Sequence, residues 1–235
     1  MTETVLISGA GRGLGLALAG RFLQAGFHVF AGLRRPDQDL AGLGGRFPET
    51  LTILPLDVTS MDSMRAAVEQ VAARVPALDI LINNAGINLE YARGVLDEVD
   101  LADTHLEETM AVNVFGPLRL SQQCRPLLAR GRLRVIVNVS SEAGSIAGCG
   151  RDREFAYCMS KAALNMQTKL LHNALGPQGF RVLSVHPGWV QSDMGGPQAT
   201  VPLDESAEGI YQLALQERAD AEPIYVDYRG NALQW

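Results

Sequence analysis

Short apolar runs alternate with longer stretches of helical periodicity from one end of the chain to the other. The runs Val5–Ser8, His28–Leu33, Leu51–Pro55, Ile80–Asn83, Arg134–Val139, Arg181–His186 and Ile224–Val226 are predicted strands. Most are continuous in Val, Ile and Leu and do not alternate with polar residues, as expected of strands covered on both faces. Between them the periodicity predicts helices near Leu14–Ala25, Met61–Arg74, Leu101–Leu128, Phe155–Leu175 and Asp204–Gln216. Strands joined through helices need crossover connections, and hence a parallel sheet with helices on both faces. Local signals mark the boundaries: Ser60 is placed to cap the helix at Met61, Gly26 follows the first helix, and Gly176-Pro177 follows Leu175.

The stretches Asn88–Asp100, Ile146–Glu154 and Gln191–Pro202 are polar or rich in Gly and Pro and read as loops. All three follow strand ends, the edge at which open α/β sheets bind ligands. No repeat or low-complexity linker interrupts the pattern, so residues 1–235 read as one domain. The expected architecture is a doubly wound, three-layer α/β/α sheet of about seven strands.

Composition narrows the function classes. A net charge of −6 argues against a general nucleic-acid binder, which would carry a basic face. No apolar run approaches the roughly 18 residues of a membrane span. The segment Met1–Thr4 runs straight into an apolar strand, so no secretory leader is expected, and the three cysteines lack paired spacing. Together these features predict a cytoplasmic protein with reduced thiols. The four histidines lack metal-ligand spacing, so no metal is expected.

The first strand leads into Gly9-Ala10-Gly11-Arg12-Gly13-Leu14-Gly15, which opens a helix. Glycines let the backbone approach a pyrophosphate, and the free N–H groups of the helix start favour the anion. The second strand ends Leu33-Arg34-Arg35. An acid at this position would bond the adenosine ribose and repel a 2′-phosphate. Arg34 instead, with Arg12 in the turn, suits a 2′-phosphate clamp. NADP(H) is therefore expected in preference to NAD(H). Further along, Tyr157 and Lys161 are four residues apart, on one face of a helix. An ammonium beside a phenol is expected to lower its pKa from about 10, making the pair an acid–base catalyst for a carbonyl/alcohol couple.

The ordered set Gly9-x-x-x-Gly13-x-Gly15, Asp57-Val58, Asn83-Asn84-Ala85-Gly86, Asn113, Ser140-Ser141, Tyr157-x-x-x-Lys161 and Pro187-Gly188 resembles the short-chain dehydrogenase/reductase family along nearly the whole chain. The resemblance implies a Rossmann-like fold and an oxidoreductase acting on a small carbonyl or alcohol. It implies Tyr157 as general acid/base, Lys161 as its pKa-lowering partner that also bonds the nicotinamide ribose, Ser141 as the carbonyl-orienting serine, and Asn113 as the holder of a relay water. It also implies cofactor contacts by Asp57 and Val58 with adenine, by Asn84, Ala85 and Gly86 with the adenosine ribose, by Pro187 and Gly188 near the nicotinamide, and by Val190 and Ser192 with the carboxamide and phosphate. The interval from Ser141 to Tyr157 is longer than in many members and contains Arg151-Asp152-Arg153 beside the expected substrate mouth. This insertion, His186-Pro187-Gly188-Trp189-Val190 and the stretch 228–235 are similar to the sniffer-like carbonyl reductases and C-factor-like proteins. That subgroup leaves an alternative open, a signalling protein that senses the dinucleotide. As in many members of the family, the resemblance implies a homodimer or homotetramer through the helices that carry Asn113 and Tyr157; the alternative is that these helices simply cover the sheet.

Overall fold

A computed structural model describes residues 2–35, 38–90, 95–96, 105–216 and 223–235. Seven strands, β1 (Thr4–Ser8), β2 (His28–Leu33), β3 (Leu51–Pro55), β4 (Ile80–Asn83), β5 (Val135–Val139), β6 (Arg181–His186) and β7 (Tyr225–Asp227), form one sheet in the order β3-β2-β1-β4-β5-β6-β7. Every pairing is parallel. The chain winds outward in one direction from β1 to β3 and in the other from β4 to β7. The switch point of this Rossmann-like order falls between β1 and β4, where such sheets leave a crevice.

The period-two geometry of the strands sorts their side chains into two cores. Val5 and Ile7 face the layer of α1 (Gly13–Gln24) and α7 (Leu203–Leu215), packing with Leu18, Phe22, Ile210 and Tyr211. Leu6, Phe30 and Leu54 face α3 (Met61–Ala72), α5 (Gly116–Leu128) and α6 (Phe155–Leu175), packing with Met64, Leu120 and Leu175. Burial on both faces is why these strands read as unbroken apolar runs.

Three expectations need correction. Helix α2 (Gln38–Arg46) was not predicted, because Gly42, Gly44 and Gly45 make its sequence a poor helix former. The predicted helix Leu101–Leu128 is unbroken over its described part but not α-helical throughout. Its described part runs as α4 (His105–Met110), a π-helical turn (Ala111–Phe115) and α5, while residues 101–104 lie outside the described residues, as do 91–94 and 97–100 of one predicted loop. Arg134 does not belong to β5; its φ of +54° is left-handed, and pairing starts at Val135. Among the described residues, no helix is long and apolar enough to cross a membrane.

Candidate functional site

The carboxyl ends of β1, β4, β5 and β6 gather the residues singled out by the sequence. At β1, Gly9 and Gly13 take positive φ, +68° and +53°, and Gly11 lies between them. The turn is packed against its neighbours at contact distance. A Cβ on Gly9 would lie 2.9 Å from the Ala85 Cα, and one on Gly15 only 2.1 Å from the Gly9 carbonyl oxygen. Asn84 Nδ2 donates to the carbonyls of Ser8 and Gly9, each at 3.1 Å, and the Ser8 hydroxyl accepts from the Asn84 and Ala85 N–H groups. The turn after β1 and the loop after β4 are thus locked together. Helix α1 starts at Gly13-Leu14 with no side-chain cap and no acid in its first turn. Its N–H groups face a glycine cradle, a donor set that fits the pyrophosphate of a dinucleotide.

Arg34 is exposed at the end of β2, within electrostatic range of Asp57 after β3. Burial works against the Asp57 carboxylate. Hydrogen bonds from Thr59 N–H (2.9 Å) and Thr59 Oγ1 (2.7 Å), with the charge of Arg34, outweigh it and leave the pKa below the ordinary range. Val58 is buried beneath the start of α5, where a Cβ on Gly116 would come within 3.0 Å of it. Arg12 does not join Arg34 as a clamp. It crosses the mouth to Asp193, with Nη1 2.6 Å from Oδ2, and both side chains are about three-quarters exposed. An exposed pair of this kind holds weakly and yields to a competing anion.

The acid–base residues converge at β5 and α6. A buried polar seam fixes α6 on the sheet. Asn83 Nδ2 donates to Asn138 Oδ1 and Asn138 Nδ2 to Thr168 Oγ1, both at 2.8 Å. Ser140 and Ser184 both donate to Asn165 Oδ1, and Asn165 Nδ2 donates to the Gly144 carbonyl. Such bonds tolerate little sliding, because each lost partner would strand a buried polar group. Tyr157 stands next to the Ser141 side chain, close enough for Ser141 to favour the phenolate. Lys161 is buried, 5.6 Å from the Tyr157 ring centre, and its Nζ donates to the Val139 carbonyl at 2.9 Å.

The expected acidification of the phenol is not found. Burial pushes Tyr157 up to about 12, and Ser141 and the charge of Arg151 offset only part of that rise. Burial also pulls Lys161 down to about 8. The Lys161 ammonium donates to the Val139 carbonyl, and the rise at Tyr157 is set by burial of the phenol. Tyr157 is therefore a protonated phenol across the neutral range.

Asn113 lies in the π-helical turn. Pro117, four residues on, has no N–H to offer the Asn113 carbonyl, and Gly116 N–H reaches back to Ala111 instead. The Asn113 side chain clasps the loop after β4: Oδ1 accepts from Ile87 N–H at 2.9 Å, and Nδ2 donates to the Ile87 carbonyl and the Ser160 hydroxyl. Its amide and the Lys161 ammonium both flank Gly86.

Beyond β6, the Pro187 carbonyl accepts from Ser206, and Gly188 takes φ +82° against Val201 and Tyr228. Val190 is buried and bridges to Val201, while Ser192 Oγ lies 3.3 Å from the Val190 carbonyl and accepts from Gly195 N–H. Ser192 faces Gly13 across the opening, 3.7 Å from a Cβ placed there. Residues Gln191, Ser192, Asp193, Gly196 and Pro197 line an open cavity at this edge.

Sequence reasoning missed several supports. Tyr225 Oη donates to the Ser141 carbonyl at 2.7 Å, and the Trp235 ring stacks on Tyr225 at 5.1 Å. Glu90, Asn88 and Glu154 hold the start of α6. No local pattern signals these hydrogen bonds, since their partners lie 66 to 84 residues away.

Residues 3–201 match the family profile described as short chain dehydrogenase. The C-signal protein of Myxococcus xanthus is 39% identical over 158 residues, covering 67% of this chain and 93% of that protein. The NADPH-bound carbonyl reductase from chicken fatty liver superposes with a TM-score of 0.90 at 33% identity, covering 100% of this chain and 99% of that one. The carbonyl reductase Sniffer of D. melanogaster superposes with a TM-score of 0.88 at 30% identity, each chain covered in full. With the profile spanning most of its length, the chain belongs to the short-chain dehydrogenase/reductase family.

Proposed function

We propose that this protein is an NADP(H)-dependent oxidoreductase that interconverts a small carbonyl and its alcohol. The observation that carries the reading is a phenol, Tyr157, set beside the Ser141 side chain and a buried ammonium, on the same sheet edge as the glycine turn. Gly9, Gly11, Gly13, Leu14 and Gly15 hold the pyrophosphate, and Asp57, Val58, Asn84, Ala85 and Gly86 line the adenosine side. Pro187, Gly188, Val190 and Ser192 hold the nicotinamide side. When bound, the dinucleotide supplies or accepts the hydride. Tyr157 gives its proton to the carbonyl oxygen, Ser141 donates a hydrogen bond that steadies the developing oxyanion, and Lys161 stabilises the resulting phenolate. Asn113 fixes the loop that bears Gly86 beside Lys161.

Ile146, Trp189 and Met194 are exposed apolar side chains on the loops around this edge, and Trp189 is pinned by its indole N–H to the Gly195 carbonyl. They favour compact apolar aldehydes and ketones. Consumption of NADPH with a panel of aldehydes, ketones and quinones tests the assignment; no turnover with any of them, at concentrations where the cofactor binds, would refute it. The carbonyl reductase structures similar to this chain, one of them NADPH-bound, favour the enzymatic reading over a sensing role.

For the cofactor, Arg34, standing at the end of β2, supports a 2′-phosphate site. Arg34→Asp should weaken NADPH by about ten- to a hundredfold, the range for a lost charge-assisted pair, while NADH affinity holds or improves. Equal weakening of both, measured by fluorescence titration, removes Arg34 from the discrimination. For assembly, α5 and α6 present exposed Leu118, Met166 and Leu170, beside Phe115 at the end of the π-turn. These support self-association through those helices. Sedimentation should give a multiple of the 25.3 kDa chain mass, and a monomer at micromolar concentration rules the interface out.

A further inference from the structure

Tyr157 stands in the first turn of α6, and the chain enters that helix through an unusual turn. Glu154, the residue before it, has φ +59° and ψ 46°, left-handed and not a glycine. Such a conformation persists only where the surroundings enforce it. The Glu154 carboxylate is buried and takes two partners, the Arg151 guanidinium and Asn88 Nδ2, the latter at 2.9 Å. The other arm of Arg151 reaches Glu142 Oε1 at 2.5 Å. Glu154 provides no side-chain cap for α6; the Glu90 carboxylate instead accepts the Ala156 N–H at 2.8 Å. The loops after β4 and β5 and the turn into α6 are thus tied into one polar network centred on a single guanidinium, next to the reacting phenol.

We propose that Arg151 is a positioning residue: by bridging Glu142 and Glu154 it fixes the left-handed turn that opens α6, and so sets where the Tyr157 hydroxyl stands relative to Ser141. This rests on the reading of Tyr157 as the proton donor and acceptor. A planar guanidinium can satisfy two carboxylates in fixed directions, whereas a lysine at the same place would supply charge without the fork. The groups facing the phenol are Ser141 and Glu142 from the β5 side, Arg151 and Glu154 from the turn, and Lys161 from α6. Without Arg151, the two carboxylates would act on the phenol unopposed from that side. Alcohol oxidation needs the phenolate, so its rise with pH should move upward.

The test uses the full chain with NADP(H) and compares Arg151→Gln, Arg151→Lys and the double variant Arg151→Gln/Glu154→Gln. Arg151→Gln should lower kcat for carbonyl reduction by about ten- to a hundredfold, the scale of a small misplacement of a reacting group, with Kd for NADPH unchanged. The rising limb of alcohol oxidation should shift to higher pH. Arg151→Lys should restore the limb but not kcat. The double variant, free of an unpaired buried carboxylate, should recover Tm but not kcat. Wild-type kcat and an unmoved limb in Arg151→Gln would overturn the proposal, as would a double variant that regains kcat together with Tm, since the network would then only neutralise Glu154. Full activity in Tyr157→Phe is a different failure, that of the underlying reading.

Discussion

Replacing Tyr157 by phenylalanine is expected to lower kcat for carbonyl reduction by about 10²–10⁴, the range associated with a positioned proton donor. The substitution removes one oxygen and leaves the ring that fills the space beside Lys161. The Tyr157 hydroxyl faces the Ser141 side chain, which accepts the Ala143 N–H. Ser141 therefore keeps a partner in the variant, and stability should change little. The glycine turn is not touched, so NADPH affinity should stay within a few-fold of wild type, an uncoupling expected of a group that acts only in the chemical step. Single-turnover kinetics with a fluorescence titration of NADPH will read both quantities. Retained turnover would remove the phenol from the chemistry, and a parallel loss of cofactor affinity would mean that Tyr157 holds the dinucleotide more than it moves a proton.

Gly15→Ala should weaken cofactor binding and lower stability together. Its added methyl would lie 2.1 Å from the Gly9 carbonyl oxygen and 2.6 Å from Asn84 Nδ2, so α1 must back away from the turn or the Asn84 bonds must break. Overpacking of this kind costs about 1–3 kcal/mol, which at about 2–4 °C per kcal/mol for a chain of this size lowers Tm measurably. NADPH affinity should fall by on the order of ten- to a hundredfold, because the N–H groups of the helix start no longer converge on one point. Gly44→Ala in α2 is the control. A Cβ there meets nothing within 4 Å, and helix propensity makes the change neutral to slightly stabilising. If the two variants bind NADPH equally well, close packing at Gly15 is not what shapes the phosphate cradle.

The two-sided sheet was legible in the sequence because strands buried on both faces leave unbroken apolar runs, and the glycine turn because backbone approach has a residue type of its own. The same chemistry hid α2, whose three glycines belong to a helix that tertiary packing supports against propensity. Spacing brought Tyr157 and Lys161 to one helix face, yet it could not show the balance of burial and charge there. That balance leaves the phenol at about 12 and the amine at about 8. Arg34 was readable from its place at a strand end. The engagement of Arg12 with Asp193 was not, because it joins residues 181 positions apart. The supports of the site, Asn88 and Glu90 on α6 and Tyr225 on Ser141, are of the same long-range kind, and no local periodicity encodes them.

The Tyr225 contact bears on how the protein loses competence. Strand β7 is three residues long and lies at the margin of the sheet, held by β6 alone on its parallel side. The support under Ser141 and the anchoring of the following loop, through Ala147 N–H to the Trp235 carbonyl, both come from this margin. Margins of this kind open with less free energy than the centre of a fold. Fraying there would slacken the Ser141 loop while β1 through β6 stay paired. Activity is then expected to be lost on heating before the sheet unfolds, and reinforcing β7 should narrow that gap without any change to the chemistry.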